Sequence, residues 1–311
     1  MITLAYGTNG FADHRLADCL ALLADLGYGG VALTLDHMHL DPAAPDLARR
    51  TAHVARLLDR HGLDVVVETG ARYVLDPRRK HEPTLVSDAG RERRVDLLRT
   101  AVRVAQDLGS DVVHLWSGVL PPGTAPGTGH ERLRAGLEEV LTLADAAGVV
   151  LAFEPEPGML VERVDDVLRL RGDLGDPAAL RLTLDVGHLT CVEDEPGADV
   201  VRRVGDLVAH VQVDDMVRGV HEHLELGTGE VDLPAVLAAL HQVGYDGLAS
   251  VELPRHSHAA ARLAATSIRA LRDAATSVGV PVRPAGPPAE RSGPPAPVPA
   301  DAPAREPQES R

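Results

Sequence analysis

The chain has 311 residues, of which 44% are hydrophobic and 25% are charged, so it can form a packed core and a wholly disordered chain is excluded. Its 31 Lys and Arg residues against 46 Asp and Glu residues give a formal net charge of −15. Nucleic acid and anionic membranes would repel such a chain, so neither is expected as a partner.

A repeated pattern runs along most of the chain. Each repeat has a short run rich in Val and Leu, a polar loop, an amphipathic stretch of helical period and a turn that contains Gly. The apolar runs predict eight strands, at 2–6, 30–35, 64–68, 111–115, 149–154, 181–185, 208–213 and 247–252. The amphipathic stretches predict eight helices, at 14–26, 46–61, 90–107, 130–147, 161–172, 196–205, 232–243 and 257–277.

This alternation predicts the fold class. Continuous apolar strands separated by amphipathic helices are typical of parallel strands buried on both faces. Eight such units within residues 1–279 predict an α/β protein, a (β/α)₈ TIM barrel. A doubly wound sheet is the alternative, but the Gly-rich fingerprint expected after its first strand is missing from AYGTNGF at 5–11. The Pro/Ala-rich segment 280–311 is expected to be a disordered tail.

The cysteines and the N-terminus bear on the cellular location. Cys19 and Cys191 are too few for a disulfide framework and are expected to be buried thiols in a reducing compartment. No signal peptide is visible, and no apolar run reaches the roughly 18 residues of a membrane-spanning helix. The cytoplasm is therefore the expected location.

Oxygen-bearing side chains end four consecutive strands in the second half of the predicted barrel. They are Glu154, Asp185, Gln212 and Glu252, spaced 31, 27 and 40 residues apart, or roughly one βα repeat each. One acidic residue at a strand end is more often a helix N-cap, but four at corresponding positions favour a shared site. Such a donor set suits one divalent cation, Mn²⁺ or Mg²⁺, with Co²⁺ or Zn²⁺ as alternatives.

Further candidates lie at the same end of the predicted barrel. Glu68 ends the third strand and His114 lies on the fourth, and both are candidate substrate contacts. Trp116, the only tryptophan, follows the fourth strand, where it could face a substrate or seal the edge of the core. Glu156 is an alternative to Glu154 as a ligand, but Glu154 closes the apolar run whereas Pro residues on either side of Glu156 mark a loop.

Five motifs carry a family resemblance that covers residues 1–275. They are FEPEPG at 153–158, LDVGH at 184–188, HVQVDD at 210–215, GTGEVD at 227–232 and SVEL at 250–253. Together they resemble the xylose-isomerase-like TIM-barrel superfamily, which includes ketose 3-epimerases, hydroxypyruvate isomerase, inosose dehydratase and endonuclease IV. The resemblance implies a small-molecule substrate, a metal cofactor and an isomerase or epimerase domain over residues 1–279. It leaves a homo-oligomer open.

The resemblance also implies roles for single residues. Glu154 and Glu252 correspond to metal ligands that are also the catalytic acid and base, and Asp185 and Gln212 to the other two ligands. Gln212 stands where many members have His, and is similar to the hydroxypyruvate isomerase branch. The remaining residues with implied or expected substrate contacts are His188, Arg218, His223, His114, Trp116 and Glu68.

The expected chemistry is proton transfer next to a ketone. Two carboxylates on opposite sides of a metal-bound substrate can act as base and acid, giving an enediolate and then an epimer or an isomer. A loop such as 69–89 could cap the site. A lyase that dehydrates a cyclitol or keto acid is the main alternative. An endonuclease IV-like nuclease is a remote one, because Glu68, Thr69 and Gln212 stand where zinc-binding His residues are wanted and the chain is acidic. A non-catalytic binding protein is disfavoured by the two Glu residues.

Overall fold

Residues 1–284 are described by the computed structural model, and they contain ten strands. The strands are β1 Thr3–Gly7, β2 Gly30–Thr34, β3 Asp64–Glu68, β4 Val112–Leu115, β5 Val150–Phe153, β6 Leu180–Asp185, β7 Val208–Val213, β8 Asp215–Val217, β9 Val220–Leu224 and β10 Leu248–Val251. Eight of them pair in parallel and close into a barrel in the order β1-β10-β7-β6-β5-β4-β3-β2. The other two, β8 and β9, form a separate antiparallel hairpin.

Helices surround the barrel. They are α1 Leu16–Leu26, α2 Leu47–His61, α3 Arg91–Leu108, α4 Pro126–Ala147, α5 Val164–Asp173, α6 Val186–Val192, α7 Gly197–Val204, α8 Leu233–Gln242 and α9 Ala260–Ser277. Local chemistry sets several of their ends. Asp232 caps α8 by accepting a hydrogen bond from the Ala235 N–H, and Gly62 ends α2 in the left-handed conformation at φ 63°.

The interior of the barrel is filled at one end by an apolar layer, which consists of Ala5, Val66, Val112, Ala152 and Leu248. Side chains two positions apart on a strand point to the same side, so Glu68, His114 and Glu154 also face the interior, one layer further towards the C-terminal strand ends. The barrel is therefore a packed core with an apolar floor and a polar mouth.

The predicted barrel is confirmed, with two additions. The sequence pattern did not indicate α6 or the β8–β9 hairpin, because both are short and the β9 sequence VHEHL has few apolar residues. Helix α4 begins at Pro126 and not at 130, and Gly127 and Gly129 lie in its first turns. Close packing accounts for the glycine at 129, since a Cβ there would lie 2.5 Å from Leu120 Cδ1.

Of the expected tail 280–311, only residues 280–284 are described. Val280 is buried, Val282 bridges to Ile2, and the Arg283 N–H donates to the Ile2 carbonyl. Contacts with the barrel thus extend past 279, and the rest of the expected tail lies outside the described residues. Among residues 1–284, no helix combines the length and apolarity needed to cross a bilayer.

Candidate metal and substrate site

A cavity of about 350 Å³ opens at the C-terminal mouth of the barrel. It contains six of the residues singled out from the sequence, namely Glu68, His114, Trp116, Glu154, His223 and Glu252. A larger depression of about 570 Å³ lies at the opposite mouth, lined by residues such as Asp64, Asp111 and Tyr245. It includes none of the candidate residues, so the chemistry is concentrated at the C-terminal mouth.

Glu154 follows β5 directly and is held by two histidines. His114 Nε2 lies 2.6 Å from Oε2, and His188 Nδ1 lies 3.1 Å from Oε1. Burial opposes ionisation of Glu154, but these neighbours outweigh it and hold its pKa well below the ordinary value. Burial likewise opposes protonation of His114, and the Glu154 carboxylate raises the pKa of His114 in spite of it. The cluster therefore favours an ionised Glu154.

Asp185, the last residue of β6, uses its two carboxylate oxygens differently. Oδ1 caps helix α6 by accepting hydrogen bonds from the Gly187 and His188 N–H groups, at 2.8 and 3.0 Å. Oδ2 is buried and has no hydrogen-bond partner in the described part of the chain. Asp185 is therefore a helix N-cap whose second oxygen remains available to a ligand.

Gln212 is oriented by a carboxylate. It pairs in register with Asp185 on β6, and its Nε2 donates to Glu68 Oε1 at 3.0 Å. The Thr34 hydroxyl donates to the other Glu68 oxygen at 2.9 Å. Because a carboxylate accepts a hydrogen bond only from the NH₂ side of an amide, the Gln212 Oε1 faces away from Glu68. This oxygen is buried and has no hydrogen-bond partner among residues 1–284. Glu68 therefore positions an amide oxygen next to Asp185.

Glu252 follows β10 and receives a hydrogen bond from Asn9 Nδ2 to its Oε1 at 3.0 Å. Burial raises the pKa of Glu252 well above its ordinary value, and the neighbouring Glu68 and Glu154 carboxylates raise it further. Asn9 was not recognised from the sequence. Its position two residues beyond the end of β1 was the available signal.

The β8–β9 hairpin brings two more histidines to the mouth. His221 Nε2 lies 3.1 Å from His188 Nε2, and His223 Nδ1 lies 2.5 Å from Asp214 Oδ2. Burial lowers the pKa of His223 to about 4. Burial also raises the pKa of Asp214 well above its ordinary value, and the nearby Asp185 adds to this effect. The Asp214 carboxylate thus lies directly against the His223 ring.

The donor groups of this mouth fit a divalent cation. Among residues 1–284, three buried oxygens of the predicted ligands accept no hydrogen bond, one each on Glu154, Asp185 and Gln212, although the Glu154 oxygen lies 3.1 Å from His188 Nδ1. The donor atoms form three sets, and within each set they lie within 4.8 Å of one another. The sets are Glu154, Glu156 and His188; Asp185, His223 and Glu252; and His188, His221 and His223. Buried carboxylates at this density need a compensating positive charge. The structure thus brings together candidate metal ligands, and Glu154, Asp185 and Glu252 of the predicted set are among them.

Two other predicted residues occupy different surroundings. Trp116 lines the cavity, and its ring lies edge-on to His81, with 5.2 Å between the ring centroids. Arg218 lies at the turn of the β8–β9 hairpin, outside the cavity lining, and its Nη2 is 3.1 Å from the exposed Asp194 carboxylate. Of the other predicted residues, Asp185, His188 and Gln212 do not line the cavity but contact members of the predicted set, whereas Arg218 does neither.

The chain belongs to the xylose isomerase-like TIM barrel family, whose profile matches residues 20–274. Among curated relatives, the L-ribulose-5-phosphate 3-epimerase UlaE of Shigella flexneri serotype 5b is 28% identical over 237 residues, 75% of this chain and 80% of the relative. Among solved structures, the D-allulose 3-epimerase from Methylomonas sp. in complex with D-allulose is similar with a TM-score of 0.69 and 20% identity. That similarity covers 88% of this chain and 96% of the other. An L-ribulose 3-epimerase has a TM-score of 0.70 and 22% identity, covering 90% and 97%. The resemblance inferred from the motifs is confirmed.

Proposed function

We propose that this protein is a divalent-metal-dependent epimerase or isomerase of a small sugar, a sugar phosphate or a hydroxy-keto acid, with Glu154 and Glu252 as acid and base. One observation carries the proposal. Glu154 follows β5 and Glu252 follows β10, and the two strands between them in the barrel, β6 and β7, contribute Asp185 and Gln212. The two carboxylates therefore approach one cavity from opposite sides of a set of unpaired oxygens.

The residues that would hold the cation are Glu154, Asp185, Gln212 and Glu252, and His188 and His223 offer nitrogen donors beside the carboxylates. An oxygen-rich set with adjacent imidazoles favours Mn²⁺ or Mg²⁺, with Co²⁺ or Zn²⁺ as alternatives. When bound, the cation would act as a Lewis acid that polarises the substrate oxygens beside the reacting carbon.

The side chains of this chain then move the proton. One of the two glutamates removes a proton from the carbon next to the substrate carbonyl, leaving an enediolate. If the opposite glutamate returns a proton to the same carbon, the product is an epimer, and if the proton reaches the neighbouring carbon, the product is an isomer. His114 and His188 orient Glu154, Asn9 orients Glu252, and Trp116 closes one side of the cavity.

The names of the relatives support the epimerase alternative. The curated relative compared above acts, by name, on the 3-position of L-ribulose 5-phosphate, and the two structurally similar proteins are also named 3-epimerases. We therefore propose inversion at a carbon adjacent to a ketose carbonyl as the primary reaction. The same enediolate could eject a β-hydroxyl, so the products must be analysed for loss of water as well as for inversion.

The test is deuterium incorporation from D₂O, with Mn²⁺ present, into L-ribulose 5-phosphate, L-ribulose, D-allulose and hydroxypyruvate. We expect inversion and exchange at the carbon beside the carbonyl of at least one substrate. Glu154→Gln and Glu252→Gln should each lower the rate by about 10³-fold while the fold is retained, because each removes one acid or base. The control is Glu222→Gln, which changes an exposed glutamate of the β8–β9 hairpin.

Metal dependence is tested separately. Chelation with EDTA should abolish exchange, and added Mn²⁺ or Co²⁺ should restore it. Full activity in a preparation shown to be free of metal would contradict the proposed metal dependence. Near-full activity of either Gln variant would contradict the two-glutamate scheme.

A further inference from the structure

The rim of the same cavity carries three cationic side chains. Arg72 and Lys80 lie in the loop after β3, and Arg255 lies four residues beyond the end of β10. The carboxylates of the cavity sit deeper, because Glu68 ends its strand and Glu154 and Glu252 directly follow theirs. The cavity is therefore polarised, with acidic residues around the inner end and basic residues around the outer end.

Ion pairs with residues in the described part of the chain leave most of the donor groups of these cations free. Neither Lys80 nor Arg255 forms an ion pair or a hydrogen bond through its side chain with any residue in the described part of the chain. Arg72 makes one such contact, from Nε to Asp36 Oδ2 at 3.3 Å, which leaves its two terminal nitrogens without partners among residues 1–284. Burial lowers the pKa of Lys80, and the positive charges of Arg255 and Arg72 lower it further, whereas the Glu156 carboxylate raises it. Lys80 is therefore close enough to both arginines to be repelled by them.

The loop is shaped so that Arg72 and Lys80 stay together. The His81 N–H donates to the Arg72 carbonyl at 2.5 Å, which closes residues 72–81 into a loop. Ala71 and His81 at its two ends have positive φ angles of 48° and 67°, an unfavourable conformation for residues other than Gly. The fully buried Arg94 anchors the base by donating to the carbonyls of Thr69, His81 and Pro83. The loop conformation thus holds Arg72 and Lys80 near each other in spite of their like charges.

We propose that Arg72, Lys80 and Arg255 form a subsite for an oxyanion that the substrate carries at the end remote from its reacting carbons. The proposal rests on the proposed function. Guanidinium and ammonium groups are the donors that phosphate and carboxylate groups prefer, and an anion would relieve the repulsion among the three charges. The oxyanion is either a phosphate monoester or a carboxylate. In a chain with net charge −15, this cluster is the feature that would select a charged substrate over a neutral one.

The experiment compares substrates that differ only in the charged group. The ratio of kcat/KM for L-ribulose 5-phosphate to kcat/KM for L-ribulose is measured by deuterium exchange in the Mn²⁺-loaded wild type and in Lys80→Gln and Arg255→Gln. We expect each substitution to lower this ratio by about tenfold, the size of one lost charged hydrogen bond. Arg78→Gln, an exposed cation in the same loop but outside the cavity lining, should leave the ratio unchanged.

Other outcomes separate the two oxyanions and the two proposals. If wild type prefers D-fructuronate, a ketose with a carboxylate at its far end, over neutral ketoses and Lys80→Gln removes that preference, the oxyanion is a carboxylate. If the Gln variants leave every ratio unchanged, the subsite proposal is wrong even though the enzyme epimerises. If wild type exchanges no substrate, the proposed function fails. The subsite is then judged by inorganic phosphate, which should raise the Tm of the wild type and of Arg78→Gln but not of Lys80→Gln, and equal shifts in all three would overturn it.

Discussion

The buried guanidinium of Arg94 offers a sharp test of how the mouth of the barrel is built. Arg94 is 3% exposed, lies on α3 and donates to three backbone carbonyls, those of Pro83 at 3.0 Å, Thr69 at 2.9 Å and His81. Its Cζ also lies 4.8 Å from the centroid of the Trp116 ring. Burial lowers the pKa of Arg94 to about 10, so it stays charged at neutral pH. One side chain therefore joins a helix, both ends of a loop and an aromatic wall of the cavity.

Replacing Arg94 with Met keeps much of the apolar volume and removes all three hydrogen bonds. Each buried carbonyl left without a donor costs about 1–3 kcal/mol, and the cation–π contact adds about 1 kcal/mol. The loop can relax towards water and recover part of this loss. We therefore expect Arg94→Met to lower the free energy of unfolding by about 3–5 kcal/mol.

The assay is guanidinium unfolding followed by far-UV circular dichroism, with Trp116 fluorescence as the local probe because the chain has no other tryptophan. Arg103→Met is the matched control, an exposed residue of the same helix whose one side-chain hydrogen bond is to Thr100. Its effect should stay within about 0.5 kcal/mol. If Arg94→Met destabilises the protein no more than Arg103→Met does, Arg94 does not anchor the loop.

Three further predictions concern the site. Asn9→Ala removes the donor to Glu252 and should lower kcat by about tenfold, measured by deuterium exchange, and an unchanged kcat would show that Asn9 does not position Glu252. Glu68→Met removes the acceptor that orients Gln212 and should weaken Mn²⁺ binding by about 10- to 100-fold in titration calorimetry, whereas an unaltered affinity would exclude that role. Burial lowers the pKa of His81 to about 4, so the unfolded chain binds a proton below its ordinary value of 6.5 while the folded chain does not. Stability should therefore fall between pH 7 and pH 5, with His81 contributing about 2 kcal/mol, and His81→Gln should remove that part of the fall in unfolding free energy.

The sequence by itself determined the architecture and the polar residues at the C-terminal ends of the strands. Strand and helix periods predicted the barrel, because parallel strands buried on both faces leave a strong apolar signal. The polar residue that closes an apolar run is equally visible. The carboxyl ends of all barrel strands meet at one mouth, so the polar residues near these ends could be recognised as candidates for one site. They are Glu68, His114, Glu154, Asp185, Gln212 and Glu252. Here a local pattern and a general rule of the fold were sufficient.

The tertiary structure decided which of these groups touch and what surrounds them. Asn9 and Glu252 are 243 positions apart, and only barrel closure, which pairs β1 with β10, brings them together. The β8–β9 hairpin carries His221 and His223 into the mouth but leaves Arg218 at its turn, facing Asp194. Such contacts depend on the path of loops, whose conformations are fixed by long-range packing and not by periodicity. The sequence therefore indicated the donors, and the fold determined their partners.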